Sequence, residues 1–283
     1  MQTTTTIFAT RDAIARARDS RKTIAFIPTM GFLHEGHLSL IDAARDNGAD
    51  FIVVSIFVNP KQFGPNEDFA RYPRDEARDQ ELLAGKDVDL LFLPSVGIMY
   101  PPGSHTTVSA GAVALPLEGE RRPGHFEGVA TVVLKLFNIV QPDLAVFGRK
   151  DAQQCAVIDR MVRDLDVPVR LLFAETAREY DGLARSSRNS YLSPDERKLA
   201  PALHRALRAG EDAVSRGIRD VSAVETLMRR MIEETPGIEI DYLAVVDPET
   251  FLQPADFRSG VLLVGAVRIG RTRLIDNIRI AHA

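Results

Sequence analysis

The chain has 283 residues, 45% of them apolar, enough for about two domains with cores of their own. Its formal net charge is −4, from 35 basic and 39 acidic side chains, so no positive field gathers nucleic acid or an anionic membrane surface. A single cysteine, Cys155, excludes an internal disulfide and a multi-cysteine zinc site, and the longest apolar runs are too short to cross a bilayer.

The first twenty residues, MQTTTTIFATRDAIARARDS, carry Asp12 and Asp19 and lack the apolar stretch of a signal peptide, so a cytoplasmic protein is expected. IAFIP (24–28) then opens a series of nearly continuous apolar runs that continues with FIVVSIFV (51–58), VDLLFLP (88–94), DLAVF (143–147) and VRLLF (169–173). Such runs mark strands covered on both faces. Between them lie HLSLIDAARDNG, DEARDQELLAG, GVATVVLKLFNIV and AQQCAVIDRMVRDL, each with helical spacing, and Gly48 and Gly85 stand where C-caps are expected. The alternation predicts an α/β fold, a Rossmann-like doubly wound parallel sheet, with ligands at the carboxyl ends of its strands. Beyond the polar stretch ETAREYDGLARSSRNS the texture changes. Ser193, Pro194 and Glu196 open one long predicted helix through SPDERKLAPALHRALRAGEDAVSRG, a second covers VSAVETLMRRMIEE, and IEIDYLAVVD and GVLLVGAVRIG read as strands of a smaller C-terminal α+β domain. Domains of 1–176 and 177–283 are expected.

Three segments carry candidate chemistry. In PTMGFLHEGH (28–37), His34 and His37 stand between a strand end and a helix N-terminus, where an anion is favoured; two solvated turn histidines are the plainer reading. The spacing does not fit the helical zinc motif. Asn59 and Gln62 follow the next strand and offer neutral donors and acceptors to a small polar ligand. FGRKD (147–151) again joins a strand end to a helix, with Lys150 a compact charge for a polyphosphate.

PTMGFLHEGHLSLI resembles the HxGH segment of the nucleotidyltransferase superfamily and, within it, the pantoate–β-alanine ligases, or pantothenate synthetases. The likeness continues in family order through SIFVNPKQFGPNEDFARYPR (55–74), LEGERRPGHFEGVATVVLKLFNIVQPDLAVFGRKDAQQ (117–154), ARSSRNSYLSP (184–194), DYLAVVDPETF and GAVRIGRTRLIDNI. It implies ATP-dependent ligation of pantoate and β-alanine through a pantoyl adenylate, releasing pyrophosphate and AMP, with Mg²⁺ accompanying ATP. Carried over, it puts ATP on Met30, His34, Gly36, His37, Gly148, Arg149, Lys150, Asp151, Ala177, Arg185, Ser186, Ser187 and Arg188, and substrate on Asn59, Gln62 and Gln154. His34, His37, Lys150 and Arg188 would do the chemistry, and Ser186 to Arg188 would play the part of the KMSKS loop of aminoacyl-tRNA synthetases.

Arg149 replaces the glutamate of many relatives, and Arg185 an apolar residue, commonly methionine. Glu118 and His125 are assigned to the pocket wall, in a loop before a helix, and Lys135 to a snorkelling helix position. Asp79 reads as a solvated helix-face carboxylate, with an extra metal ligand as the alternative; Arg268, Arg271 and Arg273 read as a solvated basic rim, with a nucleotide contact on closure as the alternative, and Cys155 as a small buried residue. The resemblance also implies a homodimer joined through the N-terminal domain, with the C-terminal domain as a lid. Two other classes remain: a nucleotidyltransferase acting on another small substrate, which would call for a cationic acceptor pocket where Gln62 and Gln154 are neutral, and a non-catalytic small-ligand-binding domain.

Overall fold

A computed structural model describes residues 1–65 and 67–281. The chain divides into two compact units, Met1–Arg149 with Val157–Glu175, and Lys150–Ala156 with Thr176–Ala283. Among the described residues no helix is long and apolar enough to cross a membrane.

The first unit is built from β1 (Gln2–Thr4), α1 (Ile7–Asp19), β2 (Ile24–Thr29), α2 (Glu35–Asp46), β3 (Phe51–Ile56), α3 (Glu76–Ala84), β4 (Leu90–Phe92), α4 (Val96–Met99), α5 (Glu118–Arg121), α6 (His125–Val140) and β5 (Leu144–Gly148). After α7 (Ala152–Asp164), whose first turn belongs to the second unit, β6 (Arg170–Ala174) completes the sheet. The strand order is β1-β4-β3-β2-β5-β6, and every pair is parallel. The expected doubly wound sheet is therefore present. Its winding reverses between β2 and β5, so the carboxyl ends of those neighbours flank the crevice where such sheets bind ligands.

The apolar runs are explained by burial on both faces. Ala25, Ile27, Val54 and Val146 pack with Leu38, Ile41 and Ala44 of α2 and Leu83 of α3. On the other face Phe26 meets Phe137 of α6 edge-on at 6.4 Å between ring centres, and Phe137 meets Phe147 at 6.3 Å. β1 and α1 were not foreseen: a three-residue edge strand in QTT is too short for periodicity to register, and it is held by register with Leu90–Phe92.

Helix ends follow local chemistry. Gly85 is the C-cap of α3, as expected, in the right-handed conformation, with Asp87 left-handed behind it at φ 52°; Gly48 stands one residue past the C-cap of α2, which is Asn47, with φ +87°.

The second unit packs α8 (Pro194–Leu199), α9 (Ala202–Ser215) and α10 (Val221–Glu233) with an antiparallel sheet, β7 (Ile238–Val246), β8 (Val261–Ile269) and β9 (Thr272–Ile280). Ser193 and Glu196 close a capping box with Pro194 at the first helical position. The single long helix expected from that start is broken in two. Pro201 lacks the N–H that would continue the ladder, and α9 starts afresh behind it. Arg273 departs from the expected solvated rim: its Nε donates to Asp241 Oδ2 at 2.8 Å, and its guanidinium lies over the Tyr242 ring. Arg268 and Arg271 are exposed.

Leu144, the first residue of β5 and paired on both sides, is 1% exposed, so Leu144→Ala should cost about 2–5 kcal/mol. Urea unfolding checks this: the midpoint falls with the slope unchanged.

Candidate active site at the switch point of the sheet

Five residues separate β2 from α2. Gly31 (φ +80°) and Phe32 (φ 51°) both turn left-handed there, and a side chain at Gly31 would stand 2.9 Å from Ile56 Cγ2. Their turn is tied down by α3. Asp79, 1% exposed, accepts from Phe32 N through Oδ2 and from Leu33 N through Oδ1, each at 2.7 Å, and Arg78 Nη1 donates to Leu33 O at 3.0 Å. Asp79 is thus not a solvated carboxylate but the anchor of the turn. Burial raises its pKa, while the two N–H donors act in the opposite sense.

The tied turn delivers His34 as the N-cap of α2, which begins two residues earlier than expected and makes His37 its third residue. His34 Nδ1 accepts from Gly36 N at 3.1 Å, and His37 Nδ1 accepts from His34 N at 3.3 Å. Each ring is thereby fixed with its proton on Nε2. The rings stack with centres 4.0 Å apart. Two oriented Nε2–H donors and a helix N-terminus thus share the carboxyl end of β2, beside β5.

After β3, Asn59 caps a 3-10 turn over Pro60–Gln62. Asn59 Nδ2 donates to Gln62 Oε1 and to Gly128 O, each at 3.0 Å; its Oδ1 accepts from Lys61 N at 3.2 Å and Tyr100 OH at 2.9 Å. All four hydrogen-bonding positions of this amide are therefore used inside the protein. Gln62 differs. With Oε1 on Asn59 and Nε2 on Met30 Sδ at 3.2 Å, it keeps one N–H and one lone pair unengaged among the described residues. Burial pushes the Tyr100 phenol up to about 12, so it stays a donor. The ammonium groups of Lys61 and Lys135 lie 4.6 and 5.9 Å from the centre of its ring.

His125 and Glu118 lie not in a loop but at the starts of α6 and α5, both buried. His125 Nδ1 donates to Gln62 O at 2.8 Å, and its Nε2 accepts from Arg122 Nη1 at 3.0 Å. Arg122 forks onto Glu67 at 2.8 and 2.7 Å. Burial first, then the Arg122 charge, lowers the His125 pKa from 6.5 to about 4. Gly128, on the same helix, is required by close approach: a Cβ there would stand 2.3 Å from Lys61 O.

β5 ends at Gly148, and Arg149 turns away along β6, with Nε donating to Phe173 O and pairing with Glu175, each at 3.1 Å. In the second unit, Lys150 Nζ stands 3.6 Å from Asp151 Oδ1, and Lys150 O accepts from Asn277 Nδ2 of β9 at 3.0 Å. Gln154 is half-buried and Cys155 buried on α7. The turn Ser187–Tyr191 packs on β9; Ser186 Oγ caps it by accepting from Arg188 N at 3.2 Å, and Arg185 N donates to Ala177 O at 2.9 Å. Arg178 forks onto buried Asp276 at 2.7 and 2.9 Å, and Arg197 pairs with both Asp181 and Glu179, so this polar stretch is braced by ion pairs.

Sequence reasoning missed Arg122, Glu67 and Tyr100. The spacing of Arg122 three residues before His125 was the available signal.

A doubly wound parallel sheet with a histidine-capped helix at its switch point defines the chain as an α/β enzyme of the HxGH type. The family model described as pantoate-beta-alanine ligase matches residues 2–279, and the chain belongs to that family, which couples pantoate to β-alanine. It is 53% identical to the pantothenate synthetase of Moorella thermoacetica over 279 residues, 98% of each chain. It is also similar to the crystal structure of pantothenate synthetase from Thermus thermophilus, with TM-score 0.93, 48% identity and coverage of 98% of this chain and 99% of that one. A third likeness is to the pantoate-beta-alanine ligase of Francisella tularensis complexed with beta-gamma ATP and β-alanine, with TM-score 0.81, 33% identity and coverage of 99% and 97%.

The unfolded chain binds the His125 proton at its ordinary 6.5, above the folded value of about 4, so stability is lost as pH falls through that window. Between pH 7 and pH 5 this residue should account for roughly 2 kcal/mol of lost stability. Urea midpoints at the two pH values check it, with His125→Asn expected to remove that share of the slope.

Proposed function

We propose that the chain ligates pantoate to β-alanine with ATP in two steps. In the first, a pantoate carboxylate oxygen attacks the α-phosphorus of ATP; the bond from that phosphorus to the bridging oxygen breaks, and pantoyl adenylate and pyrophosphate form. In the second, the neutral amine of β-alanine attacks the acyl carbon, the carbon–oxygen bond to AMP breaks, and a proton passes to solvent. The supporting observation is the pair of stacked histidines at the head of α2, whose Nδ1 atoms both accept backbone N–H groups, which puts the ring proton of each on Nε2. Use of ATP is supported by the Francisella tularensis ligase, complexed with beta-gamma ATP.

In this reading His34 and His37 donate to phosphate oxygens as charge builds on them, with the N-terminus of α2 adding its field. Met30, Gly36, Gly148 and Arg149 border the nucleotide; Lys150 and Arg188 offset polyphosphate charge, aided by Asp151, Ala177, Arg185, Ser186 and Ser187. Gln62 and Gln154 bind pantoate. Gln62 retains a donor and an acceptor for that purpose, and Asn59, whose amide is used internally, serves by orienting Gln62. No enzyme nucleophile is required, because the reaction rests on positioning and charge stabilisation.

Among the described residues no three His, Cys, Asp or Glu side chains converge to hold a metal ion. Mg²⁺ entering with ATP would then be coordinated by phosphate oxygens and water. Mg²⁺ and a homodimeric state rest on the family resemblance.

The test is pyrophosphate and AMP release from Mg-ATP with each substrate present or omitted. The natural chain should need pantoate for pyrophosphate release and β-alanine for AMP turnover. His37→Ala should lower kcat/KM about a hundredfold or more, and Gln62→Ala should act chiefly on pantoate. Pyrophosphate release indifferent to pantoate would contradict the reading.

A further inference from the structure

Gln62 sits on a turn that does not support itself. The main-chain bonds of that turn, Gln62 N to Asn59 O and Phe63 N to Pro60 O, are both 3.4 Å long, at the weak end of the range. What holds the Gln62 carbonyl comes from α6 and the residues just before it. His125 Nδ1–H donates to it at 2.8 Å, and Arg122 Nη2 approaches it at 3.4 Å.

These two residues also fix each other. The neutral His125 ring offers Nδ1–H to the carbonyl only in the tautomer whose Nε2 is bare, and that tautomer is selected because Nε2 accepts from Arg122 Nη1 at 3.0 Å. Arg122 is aimed by its fork onto Glu67, with Glu118 Oε2 3.9 Å away. The bonds therefore run Glu67 to Arg122 to His125 to the Gln62 main chain. At the other end of the residue, Asn59 Nδ2 and Met30 Sδ orient the side-chain amide.

We propose that Arg122 and His125 are positioning residues for pantoate: by fixing the Gln62 main chain and the imidazole tautomer, they present the open N–H and lone pair of the Gln62 amide in one orientation. This rests on the reading of Gln62 as a pantoate ligand. A glutamine has three rotatable side-chain bonds, so an amide anchored at both its backbone and its far end reaches the substrate without being ordered anew at each encounter. Removing the strut then weakens pantoate while leaving ATP and β-alanine alone.

Steady-state kinetics of the full chain, varying each substrate in turn, test this. His125→Ala should raise the pantoate KM on the order of tenfold, with kcat and the other two KM values within about twofold. His125→Asn, whose Nδ2–H can replace the Nδ1–H donor, should recover most of the loss. A pantoate KM unchanged in His125→Ala, a parallel rise in all three KM values, or an asparagine variant no better than alanine would overturn the proposal. Should His125→Ala fail to fold, Arg122→Lys, which keeps the charge and loses the fork, is read by the same split: a selective rise in pantoate KM supports the strut, and no such rise overturns it. Gln62→Ala measured alongside separates the two ideas. If it leaves the pantoate KM unchanged, the ligand assignment itself fails and the strut with it; if it raises the KM while His125→Ala and Arg122→Lys do not, only the strut fails.

Discussion

One buried carboxylate holds the head of the site. Between the last residue of β2 and the first of α2 the chain must reverse direction, and it does so with two successive left-handed residues, Gly31 and Phe32. A phenylalanine with positive φ is strained, at a cost of order 1–3 kcal/mol, and persists only where its surroundings dictate it. Here they do: Asp79 takes the N–H groups of Phe32 and Leu33, Arg78 takes the Leu33 carbonyl, and the Arg78 guanidinium lies 5.5 Å from the centre of the Phe32 ring. Burying a charged carboxylate is costly, and two charge-assisted bonds at 2.7 Å offset that cost where one neutral bond would not. From this contact follow the position of His34 as helix cap and, through the Nδ1 bonds of that cap, the tautomers of both histidines.

The second layer of the first unit works in the same way. Gln62 carries the substrate chemistry in the proposed reaction, and besides Asn59 on its own turn what fixes it lies elsewhere in the chain: Met30 before Gly31, and Arg122 and His125 at the entrance to α6. Gly128, one turn into that helix, lets the turn approach close enough for these bonds to form. Short turns at strand ends are soft, so the rigid helices α3 and α6 supply the precision that the turns lack.

Much of this was legible in the sequence. Both-face burial leaves continuous apolar runs, so β2, β3, β5 and the helices between them were readable, and PTMGFLHEGH announced a strand end meeting a helix. What escaped was what depends on distant partners. Asp79 looked like an ordinary helix-face carboxylate because periodicity cannot reveal that a turn 46 residues upstream offers two main-chain N–H groups to it. Arg273 looked solvated because its partner, Asp241, lies on another strand. The break at Pro201 could have been read: proline inside a helical pattern removes one donor, and here the pattern on either side masked it. Tyr100 and Glu67 carried no local signal, since the bonds through which they act here, to Asn59 and from Arg122, span long stretches of chain.

In the proposed reaction the histidine-capped head of α2 serves an attack on the α-phosphorus by a carboxylate. Oxygen tracing tests it most directly. With pantoate labelled with oxygen-18 in its carboxylate, the adenylate route delivers one labelled oxygen to the phosphate of each AMP formed, read by mass spectrometry. Label appearing in inorganic phosphate with ADP as the nucleotide product, or AMP formed without label, would contradict the account.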